Sequence, residues 1–196
     1  MLLARAAHML RVREPVTLRS LVAGTGVSTM TVYTYFGGMD GLWGALRQEG
    51  FRSLAQRLAT VPETDDPVRD LTAMGAAYVA NAVADPDTYR VMFDDGFKLE
   101  DPAQADRTLH HLVHAVERAQ AAGRFRDDVD PPELATQIWV IGHGLTSLIT
   151  AGPLPVGAFA HGAPMLTALY VSSGDTPERC RRSVALGWRE VEPGPR

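Results

Sequence analysis

The sequence predicts an all-α protein, in which a small N-terminal domain of three helices precedes a larger helical bundle. Apolar residues recur at intervals of three and four along most of the 196-residue chain, which is the spacing of an amphipathic helix. Glycine, proline and hydroxyl-bearing residues separate these segments where helices are expected to begin and end. No segment shows the convincing apolar–polar alternation of a half-buried strand.

The first three predicted helices are short and lie close together in the sequence. The first is interrupted before Pro15, because proline cannot continue a helix. Thr17 is placed to cap the second helix, which ends at Gly24. Ser28 is placed to cap the third, which runs to about Tyr35. Two short helices joined by a glycine-containing turn have the spacing of a helix-turn-helix motif.

Longer helices follow, and the sequence marks some of their ends clearly. Asp85-Pro86 and Asp130-Pro131 each combine an N-cap with a proline at the first helical position. The remaining boundaries depend on apolar periodicity and on glycine. The later helices are predicted at about 40–59, 68–84, 86–94, 103–122, 131–150, 165–171 and 177–191, with an irregular segment at 153–164.

Charge is distributed unevenly along the chain. Residues 1–60 hold seven arginines and three acidic residues, whereas the other 12 basic and 20 acidic residues lie in 61–196. A basic N-terminal segment followed by an acidic remainder is expected when one end of a protein binds a polyanion. Chance segregation of solvated charges is the alternative explanation.

The composition is typical of a globular protein in a reducing compartment. Cys180 is the single cysteine, which excludes an internal disulfide bond. No apolar run approaches the roughly 18–20 residues that span a bilayer. The N-terminus lacks the uninterrupted apolar centre of a signal peptide. We therefore expect a cytoplasmic protein that does not interact with membranes.

The third predicted helix carries hydroxyl-bearing and aromatic side chains on its exposed face. Such hydroxyls donate to phosphate oxygens and can touch base edges or thymine methyls. The candidate DNA-binding residues on this helix are Thr29, Thr31, Tyr33, Thr34 and Tyr35, with Ser28 at its start. Packing against the next helix is the structural alternative for Tyr33 and Tyr35, and Tyr33 can have both roles.

The run from Val27 to Phe36 reads Val-Ser-x-x-Thr-x-Tyr-x-Tyr-Phe, and Leu42 follows in the next helix. This run resembles the TetR family of repressors, in which the recognition helix ends in a tyrosine-x-x-phenylalanine motif. The resemblance covers residues 2–58 and implies a double-stranded DNA operator as the partner, with residues 1–44 as the DNA-binding domain. It further implies that Thr17, Tyr33 and Tyr35 hold phosphates, that Thr29, Met30 and Thr31 face the bases, and that Phe36 and Leu42 are core.

The sequence departs from the family pattern at Met39, where family members usually carry a lysine. The substitution removes a cationic phosphate contact. Each missing contact of this kind lowers the slope of log affinity against log salt by about 0.9. We therefore expect weaker or less salt-sensitive DNA binding than in a typical member.

The segment Trp139-x-x-x-His143-Gly144 resembles the Trp–His–Gly type of C-terminal domain in the same family. The resemblance implies that residues 45–196 bind a ligand and form a homodimer. This helix and the last helix would pack against their symmetry mates. The last helix would contribute Val184, Leu186 and Trp188.

The C-terminal half also contains methionine and aromatic residues that suit an apolar or aromatic small-molecule effector. The candidate ligand-binding residues are Met74, Tyr78, Tyr89, Met92, Phe93, Trp139 and His143. Plain hydrophobic core is the alternative for each of them. The predicted function is a transcriptional repressor that a small, largely apolar effector releases from its operator.

Two alternatives to this function remain open at the level of sequence. His110 and His114 are four residues apart on one helix, which is an acceptable spacing for zinc and would suit a metal-responsive regulator. They lack a carboxylate at H-E-x-x-H spacing and a neighbouring cysteine, so a solvated pair is favoured. The second alternative is a helical interaction protein that does not bind DNA.

Nothing in the sequence predicts catalysis. The chain contains no G-x-S-x-G, P-loop or G-x-G-x-x-G motif, so we predict no catalytic residue, no resident metal and no cofactor. Cys180 lies among arginines that can lower a thiol pKa, which is typical of a redox sensor. A semi-exposed cysteine without a function is the favoured interpretation.

Overall fold

The computed structural model describes residues 1–94, 101 and 103–189, and it confirms the all-α fold. Throughout these residues the secondary structure is helical, without a strand. The helices are α1 (Leu2–Arg11), α2 (Leu18–Val22), α3 (Thr29–Phe36), α4 (Met39–Ala59), α5 (Pro67–Ala84), α6 (Pro86–Met92), α7 (Ala103–Ala121), α8 (Pro131–Thr150), a 3₁₀ helix (Val156–His161), α9 (Gly162–Ser172) and α10 (Pro177–Arg189). In the described ranges, no helix combines the length and apolar character that crossing a membrane requires.

The predicted helix caps are present. Thr17 and Ser20 form a reciprocal capping box at the start of α2, and the Ser28 hydroxyl accepts the Thr31 N–H at the start of α3. Asp85 and Asp130 cap α6 and α8 in the same way. Local sequence therefore determines where these four helices begin.

The segment between α8 and α10 differs from the prediction of an irregular stretch over 153–164. A 3₁₀ helix occupies Val156–His161, and α9 begins at Gly162, three residues before the predicted start. Pro164 is the third residue of α9, where a missing N–H costs no intrahelical hydrogen bond. Gly162 and Pro164, which the prediction treats as helix breakers, therefore lie within the first turn of α9. The predicted end of the last helix near residue 191 lies outside the described residues.

The chain folds as two compact units, one formed by Met1–Ser53 with Ala84–Ala105 and the other by Leu54–Val83 with Asp106–Arg196. The core of the first unit combines residues from α1, α2, α3, α4 and α6. Its buried members are Ala6, Met9, Leu21, Val32, Leu42, Leu46 and Val91. The functional boundary after residue 44 stays a prediction.

A buried ion pair joins distant segments of the second unit. Arg124 is fully buried, and its Nε and Nη2 donate to the two carboxylate oxygens of Asp175 at 2.8 and 2.6 Å. Arg124 Nη1 also donates to Asp66 at 2.6 Å, and the Ser183 hydroxyl donates to the other Asp66 oxygen at 2.6 Å. Burial alone would raise the pKa of Asp66, but the hydrogen bonds from Ser183 and Arg124 outweigh this and lower the pKa.

This network joins segments that are distant in sequence. Asp66 immediately precedes α5, and Arg124 follows α7. Asp175 lies in the turn before α10, and Ser183 lies in the middle of α10. Helix α10 also lies very close to α5. A Cβ added to Gly187 would be 2.3 Å from the carbonyl oxygen of Arg69, so only glycine fits at this position. The last helix is thus an integral part of the second unit.

Candidate DNA-binding surface and ligand site

Helix α3 displays most of its side chains on the surface of the first unit. Val32 is its one residue that is buried outright, and Phe36 is half-buried against the core. Met30, Tyr33 and Tyr35 are exposed by 70%, 52% and 77%. A contiguous exposed patch of apolar and aromatic side chains marks an interaction site, whereas single exposed residues need no explanation.

The other predicted DNA-binding residues lie on the same surface. Thr17, Ser28 and Thr34 are exposed, whereas Thr29 and Thr31 are half-buried. None of the eight candidates is buried in the core. The surface formed by these eight residues is called the α3 surface below.

Hydrogen bonds within the α3 surface decide which hydroxyls can meet a phosphate. The Thr34 hydroxyl donates to the Met30 carbonyl at 3.0 Å, so in this conformation Thr34 can only accept. The Ser28 and Thr31 hydroxyls lie 3.1 Å apart, and one must donate to the other. This pair therefore retains a single hydrogen for an outside acceptor. The helix offers fewer donors than its composition suggests.

Thr17 keeps more freedom to donate. Its hydroxyl accepts the Ser20 N–H at 3.1 Å, while the Ser20 hydroxyl lies 2.8 Å from the Pro15 carbonyl, to which it donates. The Thr17 hydrogen can therefore turn to the Ser20 oxygen or to an incoming phosphate oxygen.

The turn between α3 and α4 places the Tyr33 ring. Gly37 and Gly38 have φ values of +72° and +120°, conformations that favour glycine. A Cβ on Gly38 would lie 3.3 Å from Cε1 of Tyr33, so the ring rests against this turn. Tyr33 therefore packs on the turn before α4 with one side of its ring, while half of the residue stays exposed. Its role in DNA binding stays a prediction.

Gly41 is a close contact that sequence reasoning missed. A Cβ at this position would lie 1.6 Å from the carbonyl oxygen of Phe36, so the first turn of α4 passes directly over the end of α3. Met39, which occupies the position of the family lysine, is half-buried against the core of the first unit. The junction of α3 and α4 is thus packed tightly and carries no lysine.

In the second unit, four predicted ligand-binding residues come together on α5 and α8. The Tyr78 hydroxyl lies 2.9 Å from Nδ1 of His143, and the Ser147 hydroxyl lies 3.3 Å from Nε2 of the same ring. The Trp139 and His143 ring centroids are 5.5 Å apart. Met74 and Tyr78 are buried, whereas Trp139 is 36% exposed. The chain of Tyr78, His143 and Ser147 is called the His143 relay below.

Tyr89, Met92 and Phe93 belong to the first unit. Phe93 contacts Tyr89 and Phe51, with ring centroids 5.0 and 5.5 Å apart. Met92 is fully buried, and a Cβ on Gly50 would lie 2.4 Å from its Cγ. The structure therefore groups these three with α4, where Met92 fills the space over a glycine. Phe51, a member of this cluster, was not among the predicted residues.

Burial lowers the pKa of His143 below its ordinary value of 6.5. An unfolded histidine takes up a proton near pH 6.5 while the folded one resists it, so this contribution to stability is complete above pH 6.5 and declines as the pH falls below it. We expect the free energy of unfolding of the parent to fall more steeply between pH 7 and about pH 5 than that of His143→Gln.

Urea denaturation across this pH range measures the difference, and His161→Gln serves as the matched control because His161 is exposed. The control should keep the pH dependence of the parent. Identical slopes for the parent and His143→Gln would contradict the assignment of a depressed pKa.

The structure corrects the interpretation of Cys180. The residue is fully buried, and desolvation together with Asp175 raises its thiol pKa to about 12. It is neither semi-exposed nor activated by the neighbouring arginines, because a reactive cysteine needs a stabilised thiolate and access to solvent.

The histidines proposed for zinc have carboxylate neighbours. Nε2 of His114 lies 3.5 Å from Glu63 and Nδ1 lies 3.9 Å from Glu117, with the His114 side chain 60% exposed. His110 is also exposed. Among the side chains that the structure describes (1–94, 101 and 107–189), no group of three or more His, Cys, Asp or Glu is arranged to hold a metal ion.

The expected contribution of the last helix to a dimer is wrong in part. Val184 is buried in the second unit, and Trp188 packs on Gly162, where a Cβ would lie 2.4 Å from the indole. Leu186 is the one of the three that is well exposed, at 51%. On α8, Val140 and Leu148 are also exposed.

Comparison with known proteins agrees with this architecture. Many solved structures share the fold, and the following three are among them. A TetR family transcriptional regulator, PfmR of Thermus thermophilus, is 16% identical over 89% of this chain and 99% of its own, with a TM-score of 0.65. CprB, a TetR family protein of S. coelicolor, is 18% identical over 97% of this chain and 96% of its own, with a TM-score of 0.69. RolR in complex with resorcinol is 16% identical over 94% of this chain and 91% of its own, with a TM-score of 0.65.

A comparison with curated proteins finds no match. The family model for the tetracyclin repressor-like C-terminal domain matches residues 71–171, which is more than half of the chain. This segment includes the His143 relay. The chain belongs to the TetR family of regulators.

Proposed function

We propose that the protein is a DNA-binding transcriptional repressor that acts as a homodimer and leaves its operator when a small, largely apolar molecule binds. The observation that carries this proposal is the exposure of α3, whose Met30, Tyr33 and Tyr35 all extend into solvent. A helix that follows a glycine-containing turn and exposes such residues suits the major groove.

A dimer follows from the small size of the α3 surface. One recognition helix reads too few base pairs for useful affinity, so two copies should act about one helical turn of DNA apart, roughly 34–36 Å. Val140 and Leu148 on α8 and Leu186 on α10 supply exposed apolar side chains for the pairing. We expect the second unit to hold the two chains together.

The His143 relay supports a ligand with both an aromatic body and a polar group. Trp139 offers partly exposed apolar surface, while Tyr78 and His143 can orient a hydroxyl group. RolR, a structural neighbour, is known in complex with resorcinol, which has this chemistry. Ligand binding would release DNA if it favoured a state with different spacing of the two α3 helices by a few kcal/mol.

Replacing Tyr33 tests the DNA-binding surface. We expect Tyr33→Ala to weaken binding at least about 100-fold, because two phosphate contacts per dimer are lost and hydrogen bonds to charged groups contribute roughly 1.5–3 kcal/mol each. Tyr33→Phe keeps the ring on Gly38 and should lose the hydroxyl contribution alone. Fluorescence anisotropy with duplexes selected from a random pool measures both variants.

Val156→Ala is the control, because Val156 is 72% exposed on the 3₁₀ helix of the other unit. It should bind DNA like the parent, and native mass spectrometry should find the same dimer in every variant. Parental affinity in Tyr33→Ala would show that α3 is not the recognition helix.

One observation favours a second candidate function, a helical interaction protein that does not bind DNA. Arg19 is the single charged residue between Thr17 and Gly38, and Met39 packs against the core where a lysine would contact phosphate. Both features reduce electrostatic attraction to DNA. Failure to select any duplex from the pool would favour this alternative.

A further inference from the structure

The recognition helix lacks the side chains that read most bases. Between Thr29 and Phe36 it contains no arginine, lysine, asparagine, glutamine, aspartate or glutamate. Guanine is usually read by arginine or lysine, adenine by asparagine or glutamine, and cytosine by a carboxylate. Of the base features in the major groove, the C5 methyl of thymine is the apolar one, and an apolar side chain can contact it.

The serine and threonine hydroxyls at α3 do not replace these base-reading side chains. Thr34 donates its hydrogen to the Met30 carbonyl at 3.0 Å, and Ser28 and Thr31 share a hydrogen bond at 3.1 Å. Thr29 is half-buried. Hydrogen bonding from these serine and threonine hydroxyls to base edges is therefore limited.

Met30 is the prominent apolar group on the exposed side of the helix. Its side chain is 70% exposed, and it shares a helix face with Tyr33 and Thr34, three and four residues further on. A thioether side chain is flexible and polarisable, so it can cover a methyl group at small conformational cost.

We propose that Met30 is a specificity-determining residue that reads thymine through its C5 methyl group. This inference rests on the proposed function, because it concerns the bases that the α3 surface meets. Each operator half-site then holds a thymine beneath Met30. Recognition of this base depends on apolar contact instead of a bidentate hydrogen bond.

Deoxyuridine tests the proposal, because it differs from thymidine only by the missing C5 methyl. The full-length protein is first used to select duplexes from a random pool, and each thymine of the selected site is then replaced in turn. We expect one position per half-site at which uracil weakens binding about four-fold, the value for burying one methyl group. Replacement in both half-sites should weaken binding about 15-fold.

Variants of Met30 test whether this residue causes the difference in affinity between thymine and uracil. Met30→Ala should bind thymine and uracil equally at that position, although its overall affinity is lower. Met30→Gln has nearly the same length and should shift the preferred base towards adenine. The matched control Met165→Ala removes another exposed methionine, 45% exposed on α9, and should keep the four-fold discrimination.

The possible failures are distinguishable. A selected site that binds equally well with uracil at every thymine would overturn the role of Met30 while leaving DNA binding intact. Discrimination that survives in Met30→Ala would overturn it as well. If no duplex is selected at all, the proposed function fails and the inference fails with it.

Discussion

Replacing Arg124 with methionine should lower the free energy of unfolding by about 3–5 kcal/mol, the usual cost of removing one partner from a buried ion pair. Arg124 is fully buried and Asp175 is 2% exposed in its side chain. Without the guanidinium, Asp175 loses two hydrogen bonds and Asp66 loses one. These carboxylates must then be protonated or solvated, and either change weakens the junction of α5, α7 and α10.

Urea denaturation at constant protein concentration measures this loss, because the stability of the proposed dimer would depend on concentration. Arg52→Met is the matched control, since Arg52 pairs with Glu49 on the surface and its side chain is 60% exposed. The control should change stability by less than about 1 kcal/mol. A similar small change in Arg124→Met would mean that the buried network contributes little to stability.

Replacing Gly41 with alanine should nearly abolish DNA binding and lower the stability of the protein by about 1–3 kcal/mol or more. The new Cβ would lie 1.6 Å from the Phe36 carbonyl oxygen, and a backbone atom cannot avoid it by rotating a side chain. Helices α3 and α4 must therefore separate, and Tyr33 and Met30 move with α3.

Thermal denaturation and fluorescence anisotropy follow the two effects separately. Gly157→Ala is the control, because a Cβ there meets no atom within 4 Å in the described structure. Its stability should stay within about 0.5 kcal/mol of the parent. Parental DNA affinity in Gly41→Ala would show that the position of α3 does not depend on this contact.

Features that depend on neighbouring residues were predictable from the sequence. Thr17, Ser28, Asp85 and Asp130 act within three residues of themselves, so the four helix starts that they cap were predicted correctly. The exposed face of α3 is also a local property, since helical periodicity separates Val32 from Tyr33 and Tyr35.

Features that depend on distant residues were not predictable. Arg124 looks like an ordinary surface arginine in the sequence, because its partners Asp66 and Asp175 are more than 50 residues away. Gly41 lies in an ordinary helical pattern, and nothing local shows that it faces the Phe36 carbonyl. The arrangement of the ligand-binding candidates was likewise hidden, because hydrophobic spacing does not distinguish a core methionine such as Met92 from one that lines a pocket.

The hydrogen bond from Ser183 to Asp66 joins residues 117 positions apart, which has a consequence for synthesis of the protein. The second unit cannot complete its interior until nearly the entire chain has left the ribosome. A product that terminates before residue 175 would retain Arg124 while lacking Asp175 and Ser183, and the buried guanidinium would lose these two hydrogen-bond partners. Such truncated products should be degraded rapidly, which would restrict the cellular pool to full-length chains.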